Sequence, residues 1–88
     1  MYSTTIAVDL AKSTFEIAVS DRPGKITSQK RLSRANFLPF FKQTPPANIL
    51  LEACGSAHYW ARSIRRFGHD VTLLPAHFVR PYRKGNKT

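Results

Sequence analysis

The stretch Ile49-Leu50-Leu51-Glu52-Ala53 decides the architecture. It is apolar on both faces until Glu52 interrupts it. A strand that reads this way belongs in the middle of a sheet, parallel to its neighbours and covered on both sides. Parallel strands need crossover connections, usually helices. The flanks supply them. Pro45-Pro46 stops the element ahead of the strand, and Gly55-Ser56 opens the one after it.

Upstream, residues 5–10 place Ile6, Val8 and Leu10 on one face, with Ala7 and Asp9 on the other. Ala11-Lys12-Ser13 breaks the run. From Thr14 to Val19 the alternation resumes, with Phe15, Ile17 and Val19 against Glu16 and Ala18. Asp21-Arg22-Pro23-Gly24 is a turn cluster. Lys25 to Leu32 reads as a third strand, and its charge suits a sheet edge, where it discourages pairing with other sheets. Three strands with short links make an antiparallel meander. A helix comes next, carrying Phe37, Leu38, Phe40 and Phe41. Ser33 or Asn36 can cap it. Pro39 selects Asn36, because from that cap it falls in the first turn, where its missing N–H costs nothing.

Downstream, Ser56 is the expected cap of a second helix. Trp60, Ile64 and Phe67 recur at i, i+4 and i+7 as its buried stripe, with Arg62, Arg65 and Arg66 pointing away and Gly68 as the C′ stop. Val71 to Leu74 is a last strand, ended by Pro75. A short helical turn from Ala76 to Tyr82 and a basic tail complete the chain. The domain therefore spans residues 1–82 and the tail residues 83–88. The fold class is α/β, with the order βββαβαβ of the ribonuclease H-like fold. Parallel crossovers are right-handed in nearly all proteins, which predicts a mixed sheet in spatial order 3-2-1-4-5.

Length and charge restrict the function. The 88 residues suffice for one small domain. At 42% hydrophobic residues the chain is too apolar for a disordered basic tail. No apolar run approaches the roughly 20 residues of a membrane span, and the N-terminus lacks the pattern of a secretory signal. A single cysteine, Cys54, excludes a disulfide framework and a multi-cysteine zinc site. The bacterial cytoplasm is the expected compartment. A net charge of +9 favours a polyanionic partner, most simply DNA. Residues 22–51 hold six basic side chains and no acid, so Asp9 and Glu52 lie in a field that is otherwise positive.

Asp9 and Glu52 fall near the C-terminal ends of the first and fourth strands. If these strands are adjacent and parallel, both carboxylates emerge at one sheet edge, where open α/β sheets bind ligands. Two carboxylates suit Mg²⁺ or Mn²⁺, hard cations that take oxygen ligands and retain water. Two such ions can clamp the attacking and leaving oxygens of a phosphodiester. The plainer readings are a turn or cap residue for Asp9 and an ion pair with Lys12 or an arginine for Glu52. Ser56 lacks the glycine pattern of a nucleophile elbow. His58, His69 and His77 match no common ligand spacing, and only His58 lies near the expected site. Phe78, Arg80, Tyr82, Arg83, Lys84 and Lys87 mix basic and aromatic residues, as nucleic-acid contacts do, and as a solvated tail also does.

Four segments carry a family resemblance: Ile6-Ala7-Val8-Asp9-Leu10-Ala11-Lys12, the block Leu51 to Arg62, Gly68-His69-Asp70-Val71, and Val79-Arg80-Pro81-Tyr82. Together they closely resemble the DEDD transposases of the bacterial insertion-sequence group one-hundred-and-ten. The resemblance implies a RuvC-like domain with four acidic metal ligands, the first two matching Asp9 and Glu52 as catalytic, metal-binding residues. It implies Mg²⁺ or Mn²⁺, DNA as substrate, a guide RNA, a homo-oligomer at full length, and a separate domain with a serine nucleophile, which Ser56 does not match. Lys12, His58, Arg80, Arg83, Lys84 and Lys87 become the expected nucleic-acid contacts. Where the family continues as Lys-Asn-Asp-x-x-Asp-Ala, this chain reads Asn86-Lys87-Thr88. The expectation is an N-terminal transposase fragment that lacks the C-terminal helix, holds metal weakly, is inactive alone and leaves an apolar patch on one sheet face.

Two other classes fit parts of the pattern. A non-catalytic basic nucleic-acid-binding module would make Asp9 and Glu52 structural. A sugar-kinase or actin-like ATPase fragment would want Asp-x-Gly-x-Ser/Thr, and Asp9-Leu10-Ala11-Lys12-Ser13 lacks the glycine that lets backbone approach phosphate.

Overall fold

Strand β1 (Thr5–Leu10) lies at the centre of a five-stranded sheet in the order β3-β2-β1-β4-β5. The computed structural model describes residues 2–10, 14–21, 25–53 and 55–75. β2 (Thr14–Ser20) and β3 (Ser28–Ser33) extend the sheet on one side as an antiparallel meander. β4 (Asn48–Glu52) and β5 (Asp70–Leu74) extend it on the other, parallel to β1. Helix α1 (Arg34–Gln43) links β3 to β4, and α2 (Ala57–Arg65) links β4 to β5. This is the expected strand order. The expected helical turn 76–82, the tail 83–88 and the turn residues Arg22, Pro23 and Gly24 lie outside the described residues.

Side chains on a strand alternate between faces, and the register sorts them. Ile6, Val8 and Leu10 of β1 stand opposite Val19, Ile17 and Phe15 of β2. Ile49 and Leu51 continue the layer on β4, and Val71 and Leu73 on β5. Both helices pack here. Phe37 of α1 stacks on Phe15 at 4.1 Å between centroids, and Trp60 of α2 meets Phe15 at 5.3 Å and Phe37 at 5.1 Å. Phe41, Ile64 and Ala61 complete the core. Aromatic pairs in tilted and edge-on arrangements contribute about 0.5–1.5 kcal/mol each beyond their buried area.

The opposite face carries Thr5, Ala7 and Asp9 of β1, with Ala18 and Glu16 of β2 beside them. Among the described residues the exposed large apolar side chains are Tyr2, Ile26 and Tyr59. None belongs to a strand. Buried alanines and a polar row occupy the centre of this face, beside half-buried Leu50 and Leu74.

Local details correct the sequence reading. The cap of α1 is Ser33, not Asn36: Ser33 closes β3 in extended backbone, and its Oγ accepts the Asn36 N–H at 3.3 Å. Pro39 therefore sits inside the helix, and the carbonyl of Ala35 loses its donor. Ala35 and Pro39 are both exposed, so water can serve that carbonyl. Phe37 and Phe41, one turn apart, are the buried residues of α1. β3 begins at Ser28 rather than Lys25, and β4 runs one residue earlier than expected. In β4, Ile49 and Leu51 are sealed while Leu50 is half-buried, so the strand is not sealed on both faces. Ser56 occupies the N-cap position of α2 without the side-chain cap bond. Gly68 adopts a left-handed φ of 95°, two residues beyond the Arg66 cap, after a turn closed by Phe67 N–H to Ile64 O and Gly68 N–H to Arg65 O. No described helix is long and apolar enough to cross a membrane.

Candidate functional site

Because β1 and β4 are adjacent and parallel, their C-terminal ends share one sheet edge. The register pairs Val8 with Leu51. One residue further along, Asp9 and Glu52 stand level on neighbouring strands, both half-buried. On the other side of Asp9, the antiparallel register places Glu16 opposite it, and Arg31 opposite Glu16. Glu52 pairs with Leu74. One row thus crosses the sheet on the face opposite α1 and α2: Arg31, Glu16, Asp9, Glu52, Leu74.

Glu16 in this row pairs with Arg31. Arg31 directs Nη2 to Glu16 Oε2 at 2.6 Å and Nε to the same oxygen at 3.0 Å. A shallow groove lined by Glu16, Gln29, Lys30 and Arg31 lies over this β2–β3 edge, two strands away from Glu52. Among the described residues no group of three or more His, Cys, Asp or Glu is placed to hold a metal ion. Asp9 and Glu52 are oxygen donors of the kind that hold a hard divalent cation, with water completing its shell.

His58 lies exposed in the first turn of α2, the helix that begins five residues after Glu52. Lys12, Cys54, His77, Arg80, Arg83, Lys84 and Lys87 lie outside the described residues. Three features escaped the sequence reading. The Arg31–Glu16 pair was readable only from the β2–β3 register. His69, set aside for its spacing, is a buried structural residue: its Nδ1 accepts the Ala47 N–H at 3.1 Å, and its Nε2 donates to the Phe41 carbonyl at 2.8 Å. Tyr59, half-exposed on α2, had no sequence signal beyond its place next to Trp60.

No protein-family model matches the chain, but individual relatives do. It is 46% identical over 87 residues to a probable family 20 transposase of Pseudomonas aeruginosa, a match covering 99% of this chain and 26% of that protein. It is 39% identical over 84 residues to the transposase for insertion sequence element IS1328 of Yersinia enterocolitica, covering 96% of this chain and 25% of the relative. With the transposase for insertion sequence element IS1111A of Coxiella burnetii it shares 32% identity over 82 residues, 93% of this chain and 22% of the relative. The chain spans about a quarter of the length of these curated relatives. Along nearly its whole length, it is similar to proteins named as transposases, two of them of insertion sequence elements.

Proposed function

We propose that the chain serves DNA transposition, as a RuvC-like, ribonuclease H-like part of a bacterial transposase of the insertion-sequence group one-hundred-and-ten, working in the cytoplasm. In this reading Asp9 and Glu52 hold Mg²⁺ or Mn²⁺ at the C-terminal edge of the sheet. The observation that carries it is the β1–β4 register, whose last pair, Val8 and Leu51, is followed on each strand by one of these two carboxylates, in a chain whose relatives are named transposases.

A divalent ion held there would supply charge stabilisation to a phosphodiester and activate the oxygen that attacks it. The chain's own residues do the rest. Asp9 and Glu52 present oxygens at a fixed strand-to-strand spacing. Arg31 occupies Glu16 and so separates its charge from the pair. The basic remainder of the chain draws the DNA backbone toward an edge that two carboxylates alone would repel. The guide RNA and the homo-oligomer belong to the full-length transposase in this proposal.

Titration of the chain with Mn²⁺, followed by the loss of the free-ion electron paramagnetic resonance signal, tests the site. The expected result is weak binding that disappears in both Asp9→Asn and Glu52→Gln. Binding unchanged in either variant overturns the site and leaves a non-catalytic nucleic-acid-binding module.

A further inference from the structure

The outward face of α2 has a composition that its fold does not require. Ala57, Trp60, Ala61 and Ile64 face the core. At 3.6 residues per turn, Tyr59, Arg62 and Arg66 fall within about 60° of one another, on the side directly opposite. All three are exposed. Basic residues in a last helical turn suit the helix dipole, and Arg65 is further explained by its Nη2 bond to the Val71 carbonyl at 3.1 Å. Neither argument accounts for Tyr59, whose side chain is 52% exposed in the first turn.

Tyr59 is also held. Its ring meets that of Trp60 edge-on at 4.8 Å, and Trp60, only 5% exposed, is locked against Phe15 and Phe37. The exposed ring is therefore a preorganised flat surface, which lowers the entropic cost of using it. Arg62 lies one turn along the helix and Arg66 one turn beyond that. A stacking ring with cations at successive turns is how proteins bind unpaired strands: the base stacks and the arginines take the phosphates.

We infer that Tyr59, Arg62 and Arg66 form a binding surface for single-stranded DNA, with an unpaired base stacked on Tyr59. This goes beyond the carboxylate site and needs no metal. A duplex keeps its bases stacked on one another and offers Tyr59 no free face. DNA is the assigned strand because charge complementarity to the +9 chain calls for a polyanion and the proposed reaction acts on DNA.

The test is fluorescence anisotropy of the 88-residue chain with a labelled oligonucleotide as single-stranded DNA, as duplex DNA and as single-stranded RNA, all in EDTA. Tyr59→Ala should weaken single-stranded DNA binding about five- to a hundredfold and leave duplex binding within about twofold. Tyr59→Phe should restore it. Tyr2→Ala, which removes an exposed ring elsewhere, should have no effect. Arg62→Ala with Arg66→Ala should flatten the log-affinity against log-salt slope by about 1.4. Circular dichroism of each variant checks that it folds. Wild-type affinity in Tyr59→Ala, or an equal loss on duplex, overturns the inference, and tighter binding of RNA overturns the choice of DNA. Mn²⁺ binding by Tyr59→Ala should match that of the wild type, so failure of the carboxylate site and failure of this surface give different results.

Discussion

His69 closes the C-terminal end of α1 through Phe41: its Nε2 lies 2.8 Å from the Phe41 carbonyl. That oxygen belongs to the last turn of the helix, where carbonyls need partners from outside the ladder, and it also accepts the N–H of the Thr44 cap at 3.4 Å. The other ring nitrogen accepts from Ala47, just ahead of β4. One imidazole thus joins α1, β4 and the start of β5, and both of its polar atoms are paired although the residue is 5% exposed.

Replacing His69 with Ala removes both partners at once. The buried Ala47 N–H then lacks an acceptor, which costs about 1–3 kcal/mol, and the lost ring leaves a gap beside Phe41. The expected destabilisation is about 2–4 kcal/mol, read from urea unfolding. A change under about 1 kcal/mol would mean that water replaces the ring in both bonds.

Pro39 should be a weak point that can be repaired. An interior proline costs a helix about 3 kcal/mol, part of which returns through its restriction of the unfolded chain. Here Pro39 and Ala35 face solvent, so Pro39→Ala can rebuild the bond to the Ala35 carbonyl without disturbing the core. The variant should gain about 1–2 kcal/mol in urea unfolding. A loss of stability would show that the helix needs the bend at this point.

The same proline explains where sequence reasoning failed. Pro39 is a strong local signal for a helix starting at Asn36, but Ser33 caps the helix three residues earlier through the Asn36 N–H, and the exposed Ala35 carbonyl tolerates the missing donor. The strand order was legible because it rests on long-period patterns: the Ile49–Leu51 run, the alternation of β1 and β2, and the charge of β3. From that order the shared edge of Asp9 and Glu52 followed directly. His69 was illegible for the opposite reason. Its partners are 22 and 28 residues away in sequence, and nothing local marks a histidine that satisfies two backbone groups.

The Arg31–Glu16 pair should matter little to stability. Two nitrogens of Arg31 reach Glu16, but the Arg31 side chain is 67% exposed and that of Glu16 28%. Exposed pairs of this kind contribute about 0–1 kcal/mol, and less in salt. A double-mutant cycle with Arg31→Ala and Glu16→Gln should give a coupling of about 0.5 kcal/mol at low ionic strength, shrinking in roughly 1 M NaCl. A coupling above about 2 kcal/mol would assign the pair a structural role that its exposure does not indicate.

Metal should stabilise the chain through Asp9 and Glu52, and the effect can be separated from folding itself. A ligand that binds only the folded state adds RT ln(1 + [L]/Kd) to stability, about 1.4 kcal/mol at ten times Kd. For a domain of this size that raises the melting temperature by roughly 5–10 °C. Thermal melts in EDTA and in rising Mn²⁺ should show this rise for the wild type and lose it in Asp9→Asn and in Glu52→Gln. Glu16→Gln provides the contrast. Its carboxylate shares the row but is occupied by Arg31, so the Mn²⁺ response should survive when it is neutralised. Loss of the response in Glu16→Gln as well would make the whole acidic row the ligand set. Survival in Asp9→Asn would remove the metal from this edge altogether.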